Sequence, residues 1–393
     1  MSQQLINHSP DLKKLRDEGY ELEIKAGYLL VHNIPYVNAE RKILRGTLVS
    51  ELTLKSNIAT SRPETHVISF IGQHPCNKDG STITAIQHTS QQQDLGNGII
   101  VQHSFSNKPQ TGYADYYSKI ERYADIISAP AKSLDPSVKE KMFNPIFDTE
   151  NTSVFQYIDT NSSRANINKM NAVFDGQKIA IIGLGGTGAY ILDLVAKTQV
   201  SEIHLFDGDD FLQHNAFRIP GAASADQLKL KQSKVAFQDS IYSNLHKGIV
   251  AHEVFINAEN LDLLAQMTFV FIAVDRNSTR KLLCEYLLER KISFIDVGLG
   301  VIPVDNNLIG TIRCTACTAE KNDHLSKRIS MTDNDEENMY ALNIQIADLN
   351  ALNAALAVIK WKKISGFYQD LEKEHHSTYS INVAQLINED HTA

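Results

Sequence analysis

The run Ile181-Ile182-Gly183-Leu184-Gly185-Gly186-Thr187-Gly188 restricts the possible folds of this chain more than any other stretch. It follows a short β-type entry, Lys178-Ile179-Ala180. It precedes Ala189 to Lys197, where apolar residues recur at helical spacing. A strand, a glycine turn and a helix are therefore expected. Gly183 permits the tight turn, Gly185 lets a phosphate approach the backbone, and Gly188 lets helix and strand pack closely. Gly186 makes the central glycine a pair. The helix N-terminus then presents free N–H groups and a partial positive charge. Such a unit binds a nucleotide within an α/β fold.

The next strand, Glu202 to Phe206, ends in Asp207-Gly208-Asp209-Asp210. A carboxylate about 20 residues past the glycines, at the tip of the second strand, is where a ribose hydroxyl is held. Asp207 fits that place. A dehydrogenase has the same two features, so NAD stays open at this point. Four further residues turn the reading toward a triphosphate. Asn215 and Arg218 stand in Asn-Ala-Phe-Arg, Lys234 opens a helix-like stretch in Gln-Ser-Lys-Val, and Asp275 ends the apolar strand Phe269 to Val274. An Arg, a Lys and an Asn near one phosphate-binding turn can spread the charge that develops as pyrophosphate leaves, while one carboxylate holds Mg²⁺. Hydride transfer has no use for that set. Taken singly each has a plainer role: Arg218 and Lys234 as solvated surface charges, Asp275 as the cap of a helix beginning near Asn277.

In order and in kind, this set resembles the ThiF/MoeB family of ATP-dependent adenylyltransferases, which includes the ubiquitin-activating (E1) enzymes. The matching pieces are GLGGTG (183–188), the acidic pair Asp207 and Asp209, N-x-x-R (Asn215, Arg218), Lys234 of SKV, and Asp275 of AVDRN. Asp296-Val297-Gly298-Leu299-Gly300 resembles the family's following strand and its glycine turn. The resemblance implies a Rossmann-like adenylation fold with ATP and Mg²⁺ as cofactors. It implies attack by the C-terminal carboxylate of a small ubiquitin-like or sulfur-carrier-type protein on the ATP α-phosphorus, giving an acyl-adenylate and pyrophosphate. Asp207 would hold the ribose, Asn215, Arg218 and Lys234 would contact phosphates, and Asp275 would bind Mg²⁺. The family also uses an arginine before the first strand, often from a dimer partner; Arg164 is the nearest candidate. A homodimer is implied as well. Adenylation of a short peptide, a dehydrogenase and a non-catalytic nucleotide-binding scaffold are the alternatives.

The cysteines depart from the family. Many relatives carry two CxxC pairs that hold zinc, whereas here Cys314-Thr315-Ala316-Cys317 stands alone. One pair leaves a tetrahedral structural site short of ligands. Cys284 sits on the apolar face of an expected helix, as a structural thiol does. Cys76, in Gln73-His74-Pro75-Cys76-Asn77, is expected on a polar and exposed turn. Cys314 and Cys317 follow Arg313, which could partly activate them. No cysteine is marked as a thioester nucleophile.

The chain has 393 residues, enough for two or three domains with ample core. Its net charge of −8 argues against a general nucleic-acid binder. Its apolar runs fall short of the ~20 residues a membrane helix needs. Met1-Ser2-Gln3-Gln4-Leu5 has neither basic region nor apolar core, so no secretory signal is expected, and scattered cysteines suit a reducing cytoplasm. Residues 1–150 form an expected α+β domain of unassigned role, and 151–393 the adenylation domain. In the first, strands are expected at 28–32, 47–54, 66–71 and 99–103, with a turn at Gly96-Asn97-Gly98. A helix from Tyr113 to Ile127 would turn Tyr116, Ile120, Tyr123 and Ile127 to one face. In the tail a helix is expected from Asn343 to Lys363, with an apolar stripe of Ile344, Ile346, Leu349, Leu352, Leu356 and Ile359. The loop before it is polar, with Asp333, Asp335, Glu336 and Glu337 clustered.

Overall fold

Alternating residues of the expected first strand face opposite sides, and each side is buried. The computed structural model describes residues 2–56, 59–147, 153–332 and 344–392. The chain divides into two units, Met1–Ile146 with Ser163–Ala165, and Phe147–Ser162 with Asn166–Ala393.

In the second unit, β1 (Lys178–Ile182), β2 (Glu202–Phe206), β3 (Ile249–His252), β4 (Phe269–Ile272), β5 (Ser293–Val304), β6 (Asn307–Cys317), β7 (His376–Ser380) and β8 (Gln385–Glu389) form one sheet. Its order is β3-β2-β1-β4-β5-β6-β7-β8. The first five are parallel and the last three antiparallel. Ile179 and Ile181 enter one core layer, which α1 (Gly186–Val195), α2 (Lys234–Tyr242) and α4 (Ala347–Ile364) cover. Ala180 and Ile182 enter the other, under α3 (Asn277–Glu289). Burial on both faces explains why β1 and β4 read as unbroken apolar runs. This is the doubly wound arrangement, and the chain reverses direction across the sheet between β1 and β4. That switch point lies where the glycine turn begins.

The stretch Asp296 to Gly300 does not turn, contrary to expectation. β5 runs straight through it to Val304, and the chain reverses at Asp305-Asn306, both in the left-handed region with φ of 45° and 66°. Two such residues give a hairpin twist that matches the strands. Gly298 serves another purpose, since a Cβ there would meet the Arg313 guanidinium at 2.8 Å.

The tail helix also differs. It begins at Ala347, and residue 343 lies outside the described residues, as does the acidic group 333–337. The buried residues of α4 are Leu349, Asn350, Asn353, Ala354, Ala357, Val358, Lys360 and Trp361; of the expected stripe Leu349 is buried as expected, whereas Leu352 and Ile359 are exposed. Small alanines permit close approach to α1, and Trp361 fills the remaining volume by stacking on Phe174.

The first unit is a six-stranded antiparallel sheet ordered Glu21–Lys25, Tyr28–Val37, Ile43–Glu51, Val67–Ile71, His103–Ser106, Gln87–Thr89. It is thus a smaller α+β domain of strands with few helices. The helix Tyr116–Leu134 continues past Ile127 and through Pro130. Tyr116, Ile120, Tyr123 and Ile127 are all fully buried against the sheet, as their spacing requires. The same helix buries Lys119, whose ammonium donates to Ser50 Oγ (2.9 Å) and the Thr65 carbonyl (3.0 Å). Burial pulls its pKa down to about 8. Gly96, Asn97 and Gly98 all take positive φ in the expected turn.

Candidate functional site

Three expected site segments leave the C-terminal ends of adjacent parallel strands: the glycine turn after β1, Asp207 after β2, and Asp275 after β4. This is the edge where doubly wound sheets bind ligands.

Each glycine of the turn has its own steric reason. Gly183 has φ of 90°, and a Cβ there would meet the Ala273 carbonyl oxygen at 2.5 Å. A Cβ on Gly188 would overlap the Gly183 carbonyl oxygen, and one on Gly186 would overlap the Asn350 amide. Among the described residues, only Gln345 Oε1, at 3.9 Å, comes within 4 Å of a Cβ built on Gly185. Gly185 is also the N-cap of α1 and provides no side-chain cap. The first turn of α1 thus lacks a side-chain cap from its N-cap residue, a setting that favours an anion.

Asp207 is buried and ties two segments together. Its carboxylate accepts from the backbone N–H of Leu184 in the glycine turn (2.7 Å) and of Asp209 (2.9 Å). Lys234, the first residue of α2, donates its backbone N–H to the Asp209 carbonyl (2.9 Å). Its ammonium lies 2.6 Å from Asp209 Oδ2 and 3.4 Å from Asp207 Oδ1. Lys234 is therefore a buried cation, which rules out the reading of a solvated surface charge.

Asn215 is buried, and its Oδ1 accepts from the Leu212 N–H at 2.8 Å. Its Nδ2 is a buried donor with no acceptor among the described residues, and the same is true of Arg218 Nε. Burial lowers the pKa of Arg218, while Asp275 first, then Asp207 and Asp209, favour its charged form. Four of the expected residues therefore act on one another electrostatically. Asp275 is exposed in the bend between β4 and α3. The N-cap position of that helix is Arg276, so Asp275 is not its N-cap residue.

Arg164 is exposed on the short helix Thr160–Ala165, in the stretch Ser163–Ala165 that groups with the first unit.

Cys284 is the buried thiol expected, whereas the expectations for Cys76, Cys314 and Cys317 need correction. All four are buried and free. Cys76 is not exposed; its thiol donates to the His74 carbonyl (3.3 Å), and burial pushes its pKa up. Cys314 is not activated by Arg313, since burial outweighs that charge and pushes the thiol up to about 12. Burial likewise raises Cys284 to about 12 and raises Cys317. Cys314 and Cys317 lie three residues apart on one strand, so they face opposite core layers. They cannot share a metal.

Two contributions escaped the sequence reading. Asn350 of α4 accepts from Thr187 Oγ1 (2.8 Å) and donates to the Arg218 carbonyl (3.4 Å). Two asparagines three apart in an alanine-rich helix, Asn350 and Asn353, were the available signal. Arg280 of α3 donates to the Val274 carbonyl (2.7 Å) next to Asp275 and to the buried Asp296 (2.8 Å). Arg313 pairs with the other oxygen of Asp296.

A tRNA threonylcarbamoyladenosine dehydratase of Haemophilus influenzae is 29% identical over 122 residues, which are 30% of this chain and 46% of that protein. The chain thus matches less than half the length of this curated relative. Among solved structures, E. coli MccB with ATP is 16% identical over 70% of this chain and 82% of its own, with a TM-score of 0.46. E. coli tRNA N6-threonylcarbamoyladenosine dehydratase, TcdA, is 18% identical over 53% and 93%, with a TM-score of 0.40. Residues 10–160 match a domain of unknown function, DUF6791. Residues 161–387, more than half of the chain, match the ThiF family, and the chain belongs to that family.

Proposed function

We propose that this chain catalyses ATP-dependent adenylation of the C-terminal carboxylate of a small ubiquitin-like or sulfur-carrier-type protein. The observation that carries the reading is a pair of buried donors, Asn215 Nδ2 and Arg218 Nε, without acceptors among the described residues, together with an N-terminus of α1 that has no side-chain cap. Buried donors almost always have partners, and an anionic ligand supplies acceptors for both. In this reading Asp207 accepts from the ribose hydroxyls, and Gly183, Gly185, Gly186 and Gly188 let the triphosphate lie against the turn. Asn215, Arg218 and Lys234 stabilise charge on the phosphates as the carboxylate attacks the α-phosphorus and pyrophosphate departs. Asp209 holds Lys234 in place until phosphate oxygens compete for it.

Asp275 would hold Mg²⁺. The fit rests on a hard, exposed carboxylate that interacts with Arg218 at the strand edge. Among the described residues no group of three or more His, Cys, Asp or Glu gathers for a metal. A single carboxylate suits Mg²⁺, which takes few protein ligands and otherwise water and substrate phosphates. Bound there, the ion would neutralise phosphate charge. The proposal extends to a cytoplasmic homodimer in which Arg164 is supplied by the partner protomer. Among the described residues no helix is long and apolar enough to cross a membrane.

Calorimetry with ATP and with NAD tests the nucleotide. Pyrophosphate exchange with candidate carrier proteins and short peptides then tests the acceptor. The expected result is Mg²⁺-dependent ATP binding and exchange that a carrier protein stimulates. Binding of NAD without ATP overturns the reading. Exchange stimulated by short peptides alone moves it to the peptide-modifying alternative.

A further inference from the structure

Asn350 is a buried amide in the first turn of α4. It is 1% exposed and lies on the face of α4 that packs against α1. Its side chain sits directly over Gly186, where any Cβ would overlap it. It accepts from Thr187 Oγ1 at 2.8 Å, so one end of the amide is bonded to the first turn of α1. Its Nδ2 donates to the Arg218 carbonyl at 3.4 Å, so the other end reaches the Asn215–Arg218 segment. In the nucleotide reading these two segments face the phosphates from two sides: one is the first turn of α1, the other carries the donors of Asn215 and Arg218 that have no acceptor among the described residues.

We infer that Asn350 is a positioning residue that sets the spacing between the phosphate-facing turn of α1 and Arg218; this rests on the nucleotide reading above. The bond to the Arg218 carbonyl engages only the backbone, so the guanidinium stays available to the ligand. Gly186 is required by the same arrangement, because only a residue without Cβ leaves room for the amide. Asp207 needs no help from Asn350, since Leu184 and Asp209 orient it. Loss of Asn350 therefore weakens the hold on phosphates and spares the hold on the nucleoside.

The test compares ATP and adenosine on the full chain. ATP affinity is measured by calorimetry, and adenosine affinity by saturation-transfer NMR, for the wild type, Asn350→Ala, Thr187→Val and Thr187→Ser. Asn350→Ala is expected to weaken ATP binding about ten-fold, the scale of one lost buried hydrogen bond, with adenosine binding unchanged. Thr187→Val weakens ATP binding in the same sense, Thr187→Ser restores it, and adding Thr187→Val to Asn350→Ala costs nothing more. Equal ATP affinity in Asn350→Ala and wild type overturns the inference. So does a parallel loss for ATP and adenosine, which marks general damage to the fold. A wild-type chain that binds no ATP overturns the nucleotide reading itself, and this inference with it.

Discussion

Lys234 Nζ stands 2.6 Å from Asp209 Oδ2, and its second carboxylate neighbour, Asp207, is buried where Asp209 is more than half exposed. The two pairs therefore differ in weight. Removing Lys234 leaves the Asp207 carboxylate buried without its cation, whereas removing the Asp209 charge breaks a pair that water already screens. Lys234→Met is expected to lower unfolding stability by about 2 kcal/mol or more. Asp209→Asn is expected to cost about 1 kcal/mol or less. Urea denaturation of the two variants checks this, and equal losses contradict it.

Asp275→Asn is expected to slow ATP–pyrophosphate exchange on the order of 10²-fold, as removal of a preorganised electrostatic group does. The side chain is exposed, so the melting temperature should not move. An unaltered exchange rate refutes the assigned role.

Two neighbouring glycines should respond in opposite ways. Gly188→Ala drives a Cβ into the Gly183 carbonyl oxygen and is expected to destabilise the second unit by about 1–3 kcal/mol. Gly185 has a negative φ of −67°, and among the described residues only Gln345 Oε1 comes within 4 Å of a Cβ there. Gly185→Ala should therefore fold normally and bind ATP more weakly, because its methyl lies where the phosphates approach. Thermal melts and calorimetry on both variants separate the cases; a Gly185→Ala chain with full ATP affinity would argue against this placement.

No cysteine of the second unit is suited to a thioester. Cys284, Cys314 and Cys317 are buried with thiols shifted up by burial, and Cys76 in the first unit is buried too. A non-reducing gel of enzyme, ATP and carrier protein is expected to show no thiol-sensitive adduct. An adduct abolished by one Cys→Ala substitution would identify the nucleophile and overturn this expectation.

Acid should weaken the second unit. His324, His375 and His376 are buried near its antiparallel strands, and burial lowers all three pKa values, His376 to about 4. An unfolded histidine takes up its proton near pH 6.5. Between that pH and the lower folded values the unfolded state binds more protons, so stability falls as pH drops through this window. Denaturant midpoints at pH 7.5, 6 and 4.5 are expected to decline in that order, and the decline should shrink in His376→Gln. A flat profile in the wild type contradicts the sign.

Local rules explain how much of this protein is legible without coordinates. The glycine turn, the acidic strand tip and the helix face of Tyr116, Ile120, Tyr123 and Ile127 all follow from backbone sterics or from side-chain periodicity over a few residues. Their placement is decided within a short segment, so the sequence alone determined the α/β class and the ThiF family resemblance. The tertiary structure decided what depends on sheet order and on partners far along the chain. The face that α4 buries is one example: its leucines, isoleucines and alanines surround the axis, so no single stripe stands out, and the shallow space beside α1 selects the alanine side over Leu352 and Ile359. Asn350 meets Thr187 and Arg218 only because α4 returns to the switch point of the sheet. Cys314 and Cys317 form a CxxC pair in sequence, yet a strand sends them to opposite layers. In each case the outcome is set by which surfaces the sheet brings together, and that information lies in packing between distant segments, beyond the reach of local pattern.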